Sequence, residues 1–413
     1  MRGPAAAKPH ASSKAAVLDA IRAAGTISRV GLAHATGFTG PTISALVRKL
    51  LDEGLVVETG RAESTGGKRR ILLQLNHTSR YAVGVHLDHG GTTYVLTNLG
   101  GTVVARIFRP GAAAEEPPVV VSRVASEIAT LVESVGVERS RVVGIGLVFP
   151  GRGAGAMRRW AGYPLGHALE RATGLPVVLD NEATAAALGE HWSGGFGSAS
   201  SSAVLYMGTG ISAGLVIDGI AYRGPSGNAG EIGHVCVDAS GPQCWCGAQG
   251  CLEALAGMPA VVAAARADHA LARAAGLTDG PKRASTGTDF AAVSRLARRG
   301  DPMALALLER SARYLAVASR DLANIMDLEV LVLTGPSFAI AGSIYLPVVR
   351  AELERTFFSR TAHLVDVRLS RSAATAPAVG AAALVLESEL VPLSRSLRVP
   401  EGLDAEPVWT PAS

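Results

Sequence analysis

The sequence is poor in cysteine and in long apolar runs, and each shortage excludes a class of protein. Four cysteines occur in 413 residues, all between positions 236 and 251. Disulfide-stabilised secreted proteins distribute cysteine pairs along the chain, so this cluster indicates a metal site instead. No stretch of 18 consecutive apolar residues is present, and the first residues lack the apolar segment of a signal peptide. We therefore expect a cytoplasmic protein with no membrane partner.

Length and composition indicate several folded domains. With 413 residues, 48% of them hydrophobic, the chain is too long for one small module and too apolar for a disordered protein. Its net charge of +4 is unevenly divided: residues 1–80 hold 12 Lys and Arg against 5 Asp and Glu (+7), and the remainder holds 27 against 30 (−3). A basic unit followed by a mildly acidic body predicts an anionic partner for the first unit alone.

The basic unit has the pattern of a winged helix-turn-helix. Three short helices are predicted, the first at Lys14–Ala24, the second with Ser28 as its N-cap, and the third at Thr39–Leu51. Two strands follow around a Gly-rich loop that ends in three cations. The expected DNA-contacting residues are Thr39, Thr42, Ser44 and Arg48 on the third helix and Lys68, Arg69 and Arg70 in the wing.

Double-stranded DNA is the expected partner of this unit, bound at a palindromic operator by a homodimer or homotetramer. The alternative is a three-helix cap whose lysines and arginines only keep it soluble. Helix spacing, wing and charge asymmetry agree on DNA binding. The expected domain bounds are residues 1–78 for the winged helix, 79–390 for the body, and 391–413 for a poorly ordered tail.

From Tyr81 onward, short apolar strands alternate with helices, which predicts an α/β body in two lobes. Leu277–Asp289, rich in Gly, Thr and Ser, is predicted to be a surface loop, and a helix is predicted at Ser343–Phe357. Gly208 and Gly210 lie between two predicted strands. Glycine there suits either a close approach of backbone N–H groups to a phosphate or only a tight hairpin, and the sequence leaves both open.

Three segments of the body carry a resemblance to a known family. They are Val178–Ala186 with Asn181-Glu182, Leu205–Leu215 with Gly208-Thr209-Gly210 leading into Gly230-Glu231-Ile232-Gly233-His234, and Cys244–Glu253. In this order, and after a Gly-Gly-Lys wing, they resemble the ROK family of repressors, open reading frames and kinases. The resemblance implies an α/β, actin-like (ribonuclease H-like) two-lobed body behind an N-terminal winged helix-turn-helix domain.

The resemblance also implies a metal site and a sugar pocket. One imidazole and three thiols at Cys3His spacing would bind structural zinc: His234, Cys244, Cys246 and Cys251, with Cys236 left outside. The alternative is a set of small buried apolar side chains beside a core histidine. Family kinases hold sugar hydroxyls with residues that match Asn181, Glu182, Glu231, His234 and Glu253. A small carbohydrate-like effector is therefore expected.

Three departures from the kinase pattern predict that catalysis is lost. The first phosphate loop of the kinases, Asp-x-Gly-Gly-Thr, aligns here with His86, Asp88, His89 and Gly90. Side chains and a negative charge then stand where phosphate should approach. The catalytic base, an Asp in the kinases, is Glu182, whose extra methylene moves the carboxylate by about an ångström. Thr334-Gly335-Pro336 replaces successive glycines.

We therefore expect a DNA-binding transcriptional regulator, most simply a repressor, whose degenerate kinase pocket senses a sugar or sugar derivative. One alternative is an ATP-dependent, glucokinase-like sugar kinase with an accessory DNA-binding domain. Another is a zinc-stabilised dimerisation body that binds no ligand. In the regulator, closure of the two lobes would move the strand at Tyr81–Leu87, directly after the wing, and so reset the recognition helices.

Overall fold

The N-terminal unit folds as a winged helix. The computed structural model describes residues 13–61, 70–88, 91–111, 115–149, 162–197, 199–278 and 284–390, so the predicted tail lies outside it. The elements of the unit are α1 (Ser13–Ala24), β1 (Ile27–Ser28), α2 (Arg29–Thr36), α3 (Gly40–Asp52), β2 (Val56–Arg61) and β3 (Ile71–Leu75). The strands pair antiparallel in the order β1-β3-β2. Helix α2 begins after Ser28, whose side chain accepts from the Gly31 N–H, as the sequence predicted.

The first lobe of the body is a five-stranded sheet with helices. Its elements are β4 (Tyr81–Leu87), β5 (Gly91–Asn98), β6 (Val103–Pro110), α4 (Pro117–Ser134), β7 (Val142–Phe149), α5 (Leu165–Thr173) and β8 (Val177–Asn181). The strand order is β6-β5-β4-β7-β8. β4, β5 and β6 form an antiparallel meander, and β7 and β8 extend the sheet in parallel.

The second lobe repeats this topology. Its elements, from the helix that leads into it, are α6 (Glu182–Trp192), β9 (Ser201–Met207), β10 (Ile211–Ile217), β11 (Ile220–Tyr222), α7 (Leu252–Ala256), α8 (Met258–Ala267), α9 (His269–Ala274), α10 (Thr286–Arg298), α11 (Pro302–Met326), β12 (Val330–Thr334), α12 (Pro336–Thr356), β13 (Asp366–Leu369) and α13 (Ala376–Leu390). The order β11-β10-β9-β12-β13 again joins an antiparallel meander to two parallel strands. This duplication confirms the two-lobed actin-like body.

A helix follows the last strand of each sheet and packs on the sheet of the other lobe. Helix α6 follows β8 and packs on β9 and β10, while α13 follows β13 and packs on β4 and β7. Glycines permit the close approach: a Cβ at Gly214 would overlap the carbonyl oxygen of Ala183, and one at Gly84 would overlap that of Ala378. The two helices also pack on each other. They therefore form the joint between the lobes.

The winged helix packs directly on this joint. Its first helix, α1, contacts α13. One apolar cluster includes residues of both: Val17, Leu18 and Ile21 of α1 and Val379, Ala382 and Leu386 of α13. Because burying this shared surface stabilises the arrangement, α13 links the winged helix to both lobes.

Two sequence predictions in the second lobe are corrected. Part of the surface loop predicted at Leu277–Asp289 is the start of α10, because Ser285 caps that helix by accepting from the Thr288 N–H. Asp289, at the end of the predicted loop, is 3% exposed and forms an ion pair with Arg266 at 2.5 Å. Residues 279–283 of the predicted loop lie outside the described part of the chain. The helix predicted at Ser343–Phe357 begins at Pro336, since proline suits a first helical turn. Within the described residues, no helix is long and apolar enough to cross a membrane.

Candidate functional site

The first residue of α6 is the centre of a buried polar site. Glu182 is 5% exposed, and its Oε2 lies 3.0 Å from Nε2 of His86 on β4. Burial raises the pKa of the Glu182 carboxyl, the hydrogen bond to His86 lowers it, and the charges of Asp88 and Glu231 raise it again. From the sequence, His86 was noted only because it aligns with the Asp of the kinases' first phosphate loop. Its pairing with a residue 96 positions away had no signal in the sequence.

The corner between β8 and α6 is held by a second set of contacts. The side-chain oxygen of Asn181 accepts from the N–H groups of Ala183 and Thr184 and so caps α6. This leaves the amide NH2 of Asn181 as the group that a ligand could use. The preceding Asp180 accepts from the Arg223 guanidinium at 2.9 Å. Arg223 was not selected from the sequence, and it stabilises this corner from the end of β11.

The remaining effector candidates lie around the start of β10. Glu253 accepts from the Ile211 N–H at 3.0 Å through one oxygen and from Nε1 of Trp245 at 2.8 Å through the other. The Trp245 ring stands edge-on to His234, with centroids 4.8 Å apart. Burial raises the pKa of Glu231, the charge of His234 lowers it, and the charge of Glu253 raises it. Glu231 therefore lies close enough to Glu182 to raise its pKa, and Glu253 and His234 lie close enough to Glu231 to shift its pKa. Asn181 is next to Glu182 in the chain.

The turn between β9 and β10 is a tight hairpin closed by its own backbone. The Gly208 N–H donates to the Gly210 carbonyl oxygen at 3.0 Å, and the Thr209 hydroxyl donates to Asp88 at 3.2 Å. A Cβ on Gly210 would lie 2.7 Å from a carboxylate oxygen of Glu253. Hairpin closure and this close packing account for Gly210 without a phosphate. Of the aligned phosphate-loop residues, His89 and Gly90 lie outside the described part of the chain.

The four predicted metal ligands converge. The ligand atoms of His234, Cys244, Cys246 and Cys251 all lie within 4.8 Å of one another. The His234 Nδ1 to Cys244 Sγ distance is 3.6 Å, and the Cys246 Sγ to Cys251 Sγ distance is 3.7 Å. Around a tetrahedral zinc ion with Zn–S of about 2.3 Å and Zn–N of about 2.0–2.1 Å, these edges measure about 3.6 and about 3.8 Å. The cluster therefore could hold a tetrahedral metal ion, and Cys236 is not part of it.

Helix α3 exposes the polar residues expected to contact DNA. Buried Ile43, Val47 and Leu50 pack its inner face. Thr39 is its N-cap and also lies with its hydroxyl 2.9 Å from that of Thr42, a structural role that the sequence did not predict. The expected DNA-contacting residues that are exposed in the structure are Thr39, Thr42, Ser44, Arg48 and Arg70, whereas Lys68 and Arg69 lie outside the described residues.

Comparison with known proteins assigns this arrangement to a family. A putative xylose repressor of Caldicellulosiruptor sp. (strain Rt8B.4) is 29% identical over 375 residues, which cover 88% of this chain and 93% of that protein. A glucokinase of Halalkalibacterium halodurans is 30% identical over 326 residues, which cover 76% of this chain and 97% of the kinase. The solved structure of a ROK family transcriptional regulator, a homologue of the E. coli MLC protein, matches with a TM-score of 0.69 at 25% identity, covering 92% of this chain and 97% of that one.

The family model matches the body. It is described as the ROK family and covers residues 87–388, which include the buried Glu182 site, the hairpin and the four-residue metal cluster. The regulators match over a larger share of the chain than the glucokinase does. The chain belongs to the ROK family.

Proposed function

We propose that this protein is a sugar-responsive transcriptional repressor. The observation that carries the proposal is the winged helix, whose core continues into α13 of the ROK body. Similarity to a xylose repressor over 88% of the chain supports it, because the match to a glucokinase stops at 76%. The proposed domain bounds remain residues 1–78 and 79–390.

The DNA-binding part of the proposal rests on α3 and the wing. The exposed hydroxyls of Thr39, Thr42 and Ser44 would form hydrogen bonds with base edges and phosphates. Arg48 would form an ion pair with a phosphate of the DNA backbone. The wing cations Lys68, Arg69 and Arg70 would contact phosphate, a contact that is independent of base sequence. A two-fold homodimer, or a tetramer built from two such dimers, would bind a palindromic operator.

The effector part of the proposal rests on the polar site at the start of α6. Carboxylates of Glu182, Glu231 and Glu253 would accept from sugar hydroxyls, and the amide of Asn181 would donate. The ring of His234 presents Nδ1 to the Cys244 thiol, which leaves Nε2 for a ligand. Xylose is the first sugar to test, because a similar protein is named a xylose repressor.

We further propose that the pocket does not phosphorylate its sugar. A general base must be free to take the proton it removes, and the hydrogen bond with His86 holds Oε2 of Glu182 in place, so Oε1 would accept from a sugar hydroxyl as a binding group. A phosphate needs free backbone donors, and the hairpin after β9 uses the Gly208 N–H internally. Both features favour a sensor derived from a kinase.

For the metal cluster we propose a structural zinc ion. Three thiolates and one imidazole satisfy a tetrahedral ion completely, so no position remains for water or substrate. When bound, zinc would connect His234 to the loop of Cys244 and Cys246, which contains Trp245, and the Trp245 ring stands edge-on to His234. It would thereby stabilise the position of Glu253, which accepts from the Trp245 indole.

One experiment tests the proposed function against its main alternative. A DNA duplex is selected from a random pool by the full-length protein, and its affinity is measured with and without xylose, glucose or N-acetylglucosamine. We expect one sugar to weaken binding by about 5- to 150-fold, the usual range of allosteric coupling. The alternative is a sugar kinase, favoured by the glucokinase match. Turnover of any of these sugars with ATP at about 1 s⁻¹ or faster would contradict the repressor proposal.

A further inference from the structure

Tyr206 is a buried residue whose hydroxyl has no partner. It lies at the end of β9, is 1% exposed, and its hydroxyl finds no hydrogen bond within the described part of the chain. Buried polar groups nearly always have a partner, so each exception needs a reason. The ring packs in one apolar cluster with Ala183, which directly follows Glu182. The orphaned hydroxyl therefore lies at the sensor site and not in a remote core.

The neighbours of Tyr206 belong to the same polar site. The tyrosine ring stands edge-on to His86, with centroids 6.2 Å apart. A Cβ at Gly208 would lie 3.0 Å from the tyrosine hydroxyl, so the hydroxyl reaches over the hairpin. Burial raises the pKa of Tyr206 well above its usual value, and the charges of Glu182 and Asp88 raise it further. The hydroxyl therefore keeps its proton and remains a hydrogen-bond donor.

The surroundings also restrict the ligand class. Three of the groups near this hydroxyl that could donate to an anion are engaged elsewhere: the Gly208 N–H with Gly210, the Thr209 hydroxyl with Asp88, and the Ile211 N–H with Glu253. The carboxylates of Glu182, Asp88 and Glu231 add negative charge. A phosphate group would be repelled by this negative charge, whereas a neutral hydroxyl can both accept and donate.

We propose that Tyr206 is an effector-binding residue, whose hydroxyl donates to a hydroxyl of an uncharged, unphosphorylated saccharide bound beside Glu182. The inference rests on the proposed function, since it adds a residue and a ligand class to the same pocket. It explains why an unpaired hydroxyl is retained where phenylalanine would pack equally well. Ligand binding supplies the missing partner.

The test is Tyr206→Phe in the full-length protein, because this change removes only the hydroxyl. Binding of xylose, glucose, N-acetylglucosamine and glucose 6-phosphate is measured by calorimetry. We expect wild type to bind one of the three neutral sugars and the variant to bind it about 3- to 10-fold more weakly. The melting temperature of the ligand-free variant should not fall, because no hydrogen bond is lost on substitution.

Tyr345→Phe is the matched control. The hydroxyl of Tyr345 on α12 is also buried, but it is hydrogen-bonded at 2.8 Å to the hydroxyl of Ser311 on α11. This variant should melt at a lower temperature and bind the sugar as wild type does. A crystal structure of wild type with the bound sugar should show a sugar oxygen within hydrogen-bond distance of Tyr206.

The outcomes separate the inference from the function beneath it. Unchanged sugar affinity in Tyr206→Phe, with wild type responding to that sugar, overturns the role of Tyr206 alone. Tighter binding of glucose 6-phosphate than of glucose overturns the ligand class. If wild type binds none of the four probes, the sugar-sensing function itself fails and the inference fails with it.

Discussion

The guanidinium of Arg22 in α1 lies over the indole of Trp192, the last residue of α6, at 5.1 Å from the ring centroid. It also donates to the Trp192 carbonyl oxygen at 3.1 Å. The indole N–H in turn donates to Glu387 of α13 at 2.9 Å. Because α6 begins at Glu182, one helix of 11 residues joins the proposed sugar site to the winged helix. The sequence suggested the strand at Tyr81–Leu87 as the connection, and the structure adds this second one.

This contact should transmit part of the sugar response to the winged helix. Arg22→Gln removes the cation over the ring, a contact worth about 0.5–1 kcal/mol at exposed sites. We expect operator affinity without sugar to be retained, and the ratio of affinities with and without sugar to fall by about 2- to 5-fold. Titrations of the selected duplex at several sugar concentrations measure this ratio.

Lys14→Gln is the control for this prediction. Lys14 also lies on α1, but its ion pair with Glu53 at 2.5 Å is internal to the winged helix. This variant should keep the full sugar response. Equal responses in both variants and wild type would show that the Arg22–Trp192 contact carries no coupling.

Glu231→Gln should uncouple the sensor from DNA. The change removes a charged acceptor from the proposed pocket, and truncating a charged hydrogen bond costs about 1.5–3 kcal/mol of binding. Operator affinity without sugar should be intact, because Glu231 is on the loop before the metal cluster and far from α3 in the chain. The sugar should no longer weaken DNA binding at the concentration that suffices for wild type. A variant that responds at unchanged sugar concentration would place the sensor elsewhere.

Removal of one thiol should release the metal. We expect Cys246→Ser to lower zinc content from about one ion per chain towards none, and to destabilise the body, because metal binding is coupled to folding. Cys236→Ser is the control, since Cys236 is exposed and outside the cluster. It should retain zinc and stability. Metal analysis checks both variants, and wild type without zinc would refute the assignment.

Two substitutions in the winged helix should have different effects on DNA binding. Arg70→Ala removes an exposed wing cation and should weaken specific and random duplexes alike, with a flatter dependence on salt. Thr42→Ala removes an exposed hydroxyl from α3 and should change sequence preference, at a cost of about 1–3 kcal/mol at one base pair. If both variants lost the same affinity on the specific and the random duplex, the proposed separation of phosphate contact and base recognition would be wrong.

The buried carboxyl of Glu182 should make stability depend on pH. Burial raises its pKa in the folded state, so the folded protein keeps this proton to higher pH than the unfolded chain does. Its contribution to stability therefore falls as pH rises from the unfolded pKa, about 4.3, through the raised folded pKa. Glu182→Gln keeps an acceptor for His86 and removes this titration. We expect the free energy of unfolding of the variant to exceed that of wild type at about pH 8 and the gap to narrow towards about pH 5, as denaturant titrations can measure. A difference in unfolding free energy that does not change with pH would show that Glu182 does not cause the pH dependence.

The sequence determined the local elements of this protein, because their signals lie within a few residues. Apolar periodicity and the Ser28 cap predicted the helices of the winged helix, and the spacing of His234, Cys244, Cys246 and Cys251 predicted that these four side chains converge. The same reasoning failed at Ser285, since a serine cap and a polar loop have similar composition. It also missed α5 and α7 to α9, because helices of only 5 to 10 residues leave a 3.6-residue period few turns in which to repeat.

Only the tertiary structure decided which distant residues meet. His86 and Glu182 are 96 positions apart, and Arg22 and Trp192 are 170 apart. Their contacts follow from the exchange of α6 and α13 between lobes, which depends on glycines that let backbones touch. A hydrogen bond requires two atoms to lie within about 3 Å of each other, and a contact between residues distant in sequence leaves no repeating pattern from which it could be predicted. The His86–Glu182 hydrogen bond, the closed hairpin and the unpaired Tyr206 hydroxyl are therefore properties of packing, whereas the helices and the spacing of the cysteines are properties of local sequence.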